Sequence, residues 1–139
     1  EAAAALTKHL ADSLLAADPD SKVIIMGDLN DDPSNRSCKT VLGAKKKQQE
    51  VQAGGYFNTM WEMFDKGIGT LAYNGSGNLL GKDRSTLKYI RSEVFNRDFL
   101  KQKEGKYKGY PLRTHAAGVY LNGYSDHFPT LIYLAKEIK

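Results

Sequence analysis

The sequence predicts mixed α and β structure in which helices cover a sheet, and three observations predict it. The opening segment is rich in Ala and Leu and carries its apolar residues at helical spacing. A short, continuous run of β-branched residues follows almost at once, as in a strand covered on both faces. A second apolar run of strand type, at 130–134, closes the chain. Helix, short turn and buried strand in that order suit helices packed on a sheet.

Residues 1–17 read as an amphipathic helix: Leu6, Leu10 and Leu14 recur one turn apart, with Ala3 on the same stripe, and that stripe is expected to be buried. Asp18-Pro19-Asp20 stops the helix, because proline disfavours helical geometry in the residue before it. Val23-Ile24-Ile25-Met26 is the strand, and Gly27 ends it. Pro33 stands where a first helical turn tolerates it, and residues 34–42 predict a short helix ending at Gly43. The run Lys45-Lys46-Lys47-Gln48-Gln49-Glu50 reads as a solvated helix face or loop. Residues 59–64 have helical apolar spacing and are expected to pack on a core. Strand pieces are expected at 70–73 and at Tyr89-Ile90, and a loop at 96–108 with a short helix around Phe99 and Leu100. No repeat and no linker divides the chain.

At 139 residues the chain has the length of one domain. With 41% hydrophobic and 26% charged residues, disordered and fibrous architectures are excluded. No apolar run approaches the roughly 20 residues of a membrane-spanning helix. Residues 1–5 lack the basic stretch and apolar run of a signal peptide. The sequence has no initiator Met and opens inside a helix, so a fragment or a processed chain is expected, and the compartment is left open. A formal charge of +4 favours anionic partners without selecting one, and solubility explains it equally well. Cys38 is alone, which excludes an internal disulfide and argues against a cysteine-rich zinc site.

Two loops carry the chemistry. Gly27-Asp28-Leu29-Asn30-Asp31-Asp32-Pro33 directly follows the buried strand, where a rigid apolar scaffold can hold polar groups in place. Asp28 and Asn30 are two apart, so extended backbone would point both the same way, one accepting a proton and the other donating hydrogen bonds. An ordinary turn accounts for the same residues, since Asp, Asn, Gly and Pro all favour turns. Tyr124-Ser125-Asp126-His127-Phe128-Pro129 directly precedes the closing strand. A His beside an Asp suits acid–base work near neutral pH and metal coordination by the carboxylate.

Together, Gly-Asp-Leu-Asn after a hydrophobic strand and Ser-Asp-His-Phe-Pro before a C-terminal strand resemble the endonuclease/exonuclease/phosphatase superfamily. That group includes DNase I-like nucleases, exonuclease III-type repair enzymes, inositol polyphosphate 5-phosphatases and neutral sphingomyelinases. The resemblance covers residues 1–139 as the C-terminal half of the family domain. It implies an α+β fold: half of a four-layer α-β-β-α sandwich, mainly one mixed sheet with its covering helices. The function it implies is divalent-metal-dependent phosphoester hydrolysis by an activated water. On that resemblance Asp28 orients or deprotonates the water, and Asn30 hydrogen-bonds the scissile phosphate. Asp126 contributes to the metal site, and His127 contacts the phosphate and transfers a proton. Mg²⁺ suits oxygen ligands such as Asp126, with Mn²⁺ as an alternative.

Two departures from the family pattern stand out. The family's N-terminal half, with its Asn and metal-binding Glu, is absent. The Asp that usually pairs with the catalytic His, expected in an intervening strand, has no counterpart at 71–80, so a stretch missing near Gly75 is expected. With one sheet's inner face bare, a companion supplying the other half, or self-association, is also expected.

Arg113 precedes the second motif in sequence and reads either as a surface arginine or as a ligand for an anionic substrate. Tyr107, Tyr110, Tyr120 and Tyr124, interleaved with Lys106 and Lys108, read as core or edge packing, or as a stacking surface for nucleic acid. His9 reads as solvated. The three consecutive lysines at 45–47 are the one dense basic run, which favours a phosphoester other than nucleic acid, with a nuclease acting on DNA or RNA as the alternative. A non-catalytic binding module that keeps the fold is the competing class.

Overall fold

The structure, a computed structural model, describes residues 1–71, 78–81 and 87–136. Helix α1 spans Ala2–Ala17, and Asp18 leaves helical geometry at its end, as the following proline requires. Its buried face differs from the expected one. Leu6, Leu10 and Leu14 are each more than half exposed, whereas Ala11 and Leu15 are buried and Ala4 packs beside them. The physical reason is closeness of approach: small alanines let α1 lie against a single π-helical turn, Ser37–Val41, and against Leu42, Ala44 and Tyr56. A leucine stripe would hold the helix farther away.

Strand β1, Ile24–Gly27, is also covered on one side only. Val23 and Ile25 pack under α1 with this first core, while Ile24 and Met26 point the other way and are exposed, Met26 at 70%. The continuous apolar run thus marks a strand with two apolar faces, of which the described residues cover one. Strands β2 (Phe57–Asn58) and β3 (Asn78–Gly81) complete this sheet in the order β1-β3-β2. Ile25 pairs with Leu80 and Asn58 pairs with the same residue from the other side, both antiparallel.

Helix α2, Trp61–Asp65, falls where the apolar spacing of 59–64 places one. It buries Met60 and Met63 in a second core with Val94 and Phe128, flanked by Ile68, Leu100 and Ile132. Strand β4 (Leu87–Val94) extends the expected piece at 89–90 and pairs antiparallel with β7 (Thr130–Lys136), the closing strand. A register shift between Tyr89 and Arg91 bends this ribbon. Beyond it, Asp98–Leu100 forms one 3₁₀ turn, as expected around Phe99. A two-residue ladder, β5 (His115–Ala116) with β6 (Val119–Tyr120), makes a third small sheet.

The expected single mixed sheet is therefore corrected to three small antiparallel ones among the described residues. Five of the seven strands among the described residues are only two to four residues long, so each ladder stays small. Within the expected helix at 34–42 only the π-turn forms, because Asp31 draws the chain inward: it accepts hydrogen bonds from Asn35 Nδ2 at 2.7 Å and Ser37 Oγ at 2.6 Å. Thr70 and Leu71 lie in a bend rather than a strand, and the break expected near Gly75 lies outside the described residues. Among the described residues no helix is long and apolar enough to cross a membrane.

One polar link crosses the first core. The buried Tyr56 hydroxyl donates to Asp12 Oδ1 at 2.7 Å, and Lys8 pairs with the same carboxylate. The Lys8 hydrogen bond, with that from Tyr56, holds Asp12 below the usual carboxylate range, while burial pushes the Tyr56 phenol well up. Tyr56→Phe should lower stability by about 1 kcal/mol. A carboxylate whose folded pKa is depressed contributes stability above its unfolded pKa and loses it as pH falls through its folded pKa. Thermal melts at neutral and acid pH check both points: the gap between wild type and variant should close in acid.

Candidate active site

The two motif loops meet. Asp28 Oδ2 lies 3.2 Å from His127 Nε2, with the His side chain 22% exposed and the Asp side chain 45% exposed. Asp28 is delivered by the end of β1, where Gly27 adopts φ +153°, a value side-chain-bearing residues avoid. Its other oxygen, Oδ1, accepts the backbone N–H of Asn30 at 3.1 Å. Asn30 itself is left-handed, φ +51°, a conformation that Asn tolerates better than most residues. Residues 28–30 thus form a turn closed by the Asp28 side chain, one of the two readings these residues allow, and Asp28 in that turn also faces His127.

His127 is held from behind. Its neighbour Phe128 is 6% exposed, sunk in the second core, and the Phe128 N–H donates to the Thr70 carbonyl at 2.8 Å. Thr70 Oγ1 stands 3.1 Å from His127 Nδ1, and the His127 N–H donates to Ser125 Oγ at 3.2 Å. Upstream, Tyr124 N–H donates to the Leu112 carbonyl at 2.8 Å. That crossing needs Gly123, since a Cβ there would sit 2.1 Å from the Leu112 oxygen.

The other expected site residues stand differently. Asn30 reaches the pair through its backbone amide, and Asp126 is exposed beside His127 in sequence. Arg113 is exposed and lines a cavity of about 390 Å³ with Tyr107, Tyr110 and Leu121, a cavity whose walls include neither Asp28 nor His127. The tyrosines are not core: Tyr107, Tyr120 and Tyr124 are more than half exposed and pair edge-on or tilted with Tyr110, His115 and Phe99. Among the described residues no group of three His, Cys, Asp or Glu side chains could hold a metal ion, so Asp126 does not make a metal centre with its described neighbours.

Around the turn, the hydrogen bonds from Ser37 and Asn35 hold Asp31 below the usual carboxylate range. Burial, with the negative Asp31 beside it, pushes the Asp32 carboxyl up. Cys38 is 1% exposed, and burial pushes its thiol up, the opposite of what a nucleophilic thiolate needs. Sequence reasoning missed Thr70, which carries no local mark and gains its place only through a long-range contact. Ser125 stands inside the second motif, and the signal for its contact is local: a hydroxyl two residues before an amide favours this kind of turn.

A pair of loops that brings a carboxylate to an imidazole at a solvent-facing edge suits acid–base chemistry. The chain matches the model of the Endonuclease/Exonuclease/phosphatase family over residues 1–136, and it belongs to that family. Membership implies a DNase I-like fold and suggests hydrolysis of the phosphoesterase or nuclease type, in a family whose members typically depend on a divalent metal. No curated protein and no solved structure matches the chain.

The left-handed backbone at Asn30 separates a structural from a chemical role. Asn30→Gly should leave the thermal midpoint within error of wild type, and Asn30→Ala should cost about 1–2 kcal/mol, the usual penalty for that conformation in a residue with Cβ. Equal midpoints for both variants would show that the turn does not constrain residue 30.

Proposed function

We propose that this chain carries the reacting face of a divalent-metal-dependent phosphoesterase, which hydrolyses its substrate with an activated water. The observation that carries the reading is the 3.2 Å approach of Asp28 to His127, which joins two motifs that lie far apart in the chain. Asp28, half open to solvent, orients the attacking water or takes its proton. His127 contacts the phosphate and moves the proton through Nε2, the ring nitrogen on the Asp28 side. Asn30 donates from its side-chain amide to the scissile phosphate, where negative charge grows in the transition state. Arg113 binds an anionic part of the substrate.

Asp126 would supply one oxygen to a divalent ion, Mg²⁺ by the hardness of that donor, with Mn²⁺ as the alternative. The remaining ligands would come from outside the described residues. When bound, the ion supplies charge neutralisation at the phosphate. We place residues 1–139 as the C-terminal half of a four-layer sandwich. Its N-terminal half, in the same or a separate chain, covers the face that Ile24 and Met26 leave open.

The substrate is a phosphoester other than nucleic acid. Support comes from the one dense basic run, two of whose three lysines face acidic partners: Lys46 pairs with Asp65 at 2.8 Å and Lys47 lies 4.0 Å from Glu50. Salt-dependent binding to a nucleic acid backbone needs cations free to replace counterions.

In the full-length protein, His127→Ala and Asp28→Asn should each lower turnover of bis-p-nitrophenyl phosphate by about 10²–10⁴-fold. Circular dichroism should stay unchanged. Near-normal rates in both variants would sink the assignment. A chelator should abolish activity and Mg²⁺ restore it. Set against an inositol phosphate, a plasmid should be the poorer substrate; plasmid cleavage as the main activity would make the protein a nuclease.

A further inference from the structure

The resemblance leads one to expect a carboxylate behind the catalytic His, and among the described residues the group at that ring nitrogen is a hydroxyl. Thr70 Oγ1 lies 3.1 Å from His127 Nδ1, and Thr70 is 4% exposed. The same residue accepts the Phe128 N–H through its carbonyl at 2.8 Å. Thr70 therefore grips two successive residues of the second motif, one by backbone and one by side chain. With Ser125 Oγ on the His127 amide and Asp28 on Nε2, the ring is fixed at both nitrogens and at its own backbone.

We propose that Thr70 is the positioning residue for His127, setting the tautomer and the angle at which the ring meets Asp28 and the substrate. This rests on the reading of His127 as a catalytic residue. The chemistry follows from the donors and acceptors. A carboxylate only accepts, so Asp28 requires Nε2 to carry the hydrogen. In the neutral ring Nδ1 is then a bare acceptor, and the Thr70 hydroxyl donates to it. A carboxylate in that place would accept only, and would favour the opposite tautomer in the neutral ring.

The test uses the ¹⁵N-labelled full-length protein and bis-p-nitrophenyl phosphate with Mg²⁺. In wild type, the ring spectrum of neutral His127 should show hydrogen on Nε2 and a bare Nδ1; hydrogen on Nδ1 would overturn the proposal without any variant. Thr70→Val, similar in shape but without the hydroxyl, should lower kcat by roughly 10–100-fold, the usual effect of losing a partner that orients a histidine. KM should stay unchanged, and the Nε2–H signal should give way to a mixture. Thr70→Ser should restore both kcat and tautomer. If His127→Ala removes turnover while Thr70→Val changes neither kcat nor tautomer, the Thr70 proposal alone fails. If His127→Ala retains turnover, the functional reading fails, and the ring spectra still decide whether Thr70 sets the tautomer.

Discussion

Phe128 is the anchor on which the site depends. Its burial among Met60, Met63 and Val94 fixes the loop that carries His127, and its amide ties that loop to residue 70. An apolar side chain in a close-packed core holds its neighbour more firmly than any exposed polar contact can. The imidazole thus sits at the rim of a hydrophobic cluster, with one edge against protein and the other toward Asp28. Proline at 129 then leads directly into β7, whose pairing with β4 fixes the direction of the motif.

The two sides of the pair are built in different ways. Asp28 comes from a strand end above the first core and is held by its own turn, with the carboxylate accepting an amide from two residues ahead. His127 comes from a loop before a strand in the second core and is held by long-range bonds. The carboxylate side is locally encoded, and the imidazole side is encoded by tertiary packing.

That division explains how much could be read from the sequence. Turn-forming residues after an apolar run mark the Asp28 loop, and the Ser-Asp-His-Phe-Pro string marks its partner. Helix α2, the 3₁₀ turn at Asp98–Leu100 and β7 also stand near their expected places. What failed was orientation. Three leucines one turn apart look like a buried face, yet close packing against Ala44 and Tyr56 rewards Ala4, Ala11 and Leu15 instead. The run at 23–26 reads as doubly covered because apolarity reports what a strand can bury, not what is there to cover it. Thr70 could not be found from periodicity, since its meaning lies in a hydrogen bond spanning 57 residues of chain.

The strand order of the sheets bears on the route by which the molecule acquires its site. In the first sheet β3 lies between β1 and β2, although both precede it in the chain, and β7 pairs with β4 across the intervening hairpin region. Each of these pairings closes a long loop, and the entropy lost in closure comes before the contacts that offset it. Asp28 stands at the end of a strand in the first sheet, and His127 stands just before a strand of the second. A chain in which either core is loose would hold a carboxylate and an imidazole with nothing to bring them together.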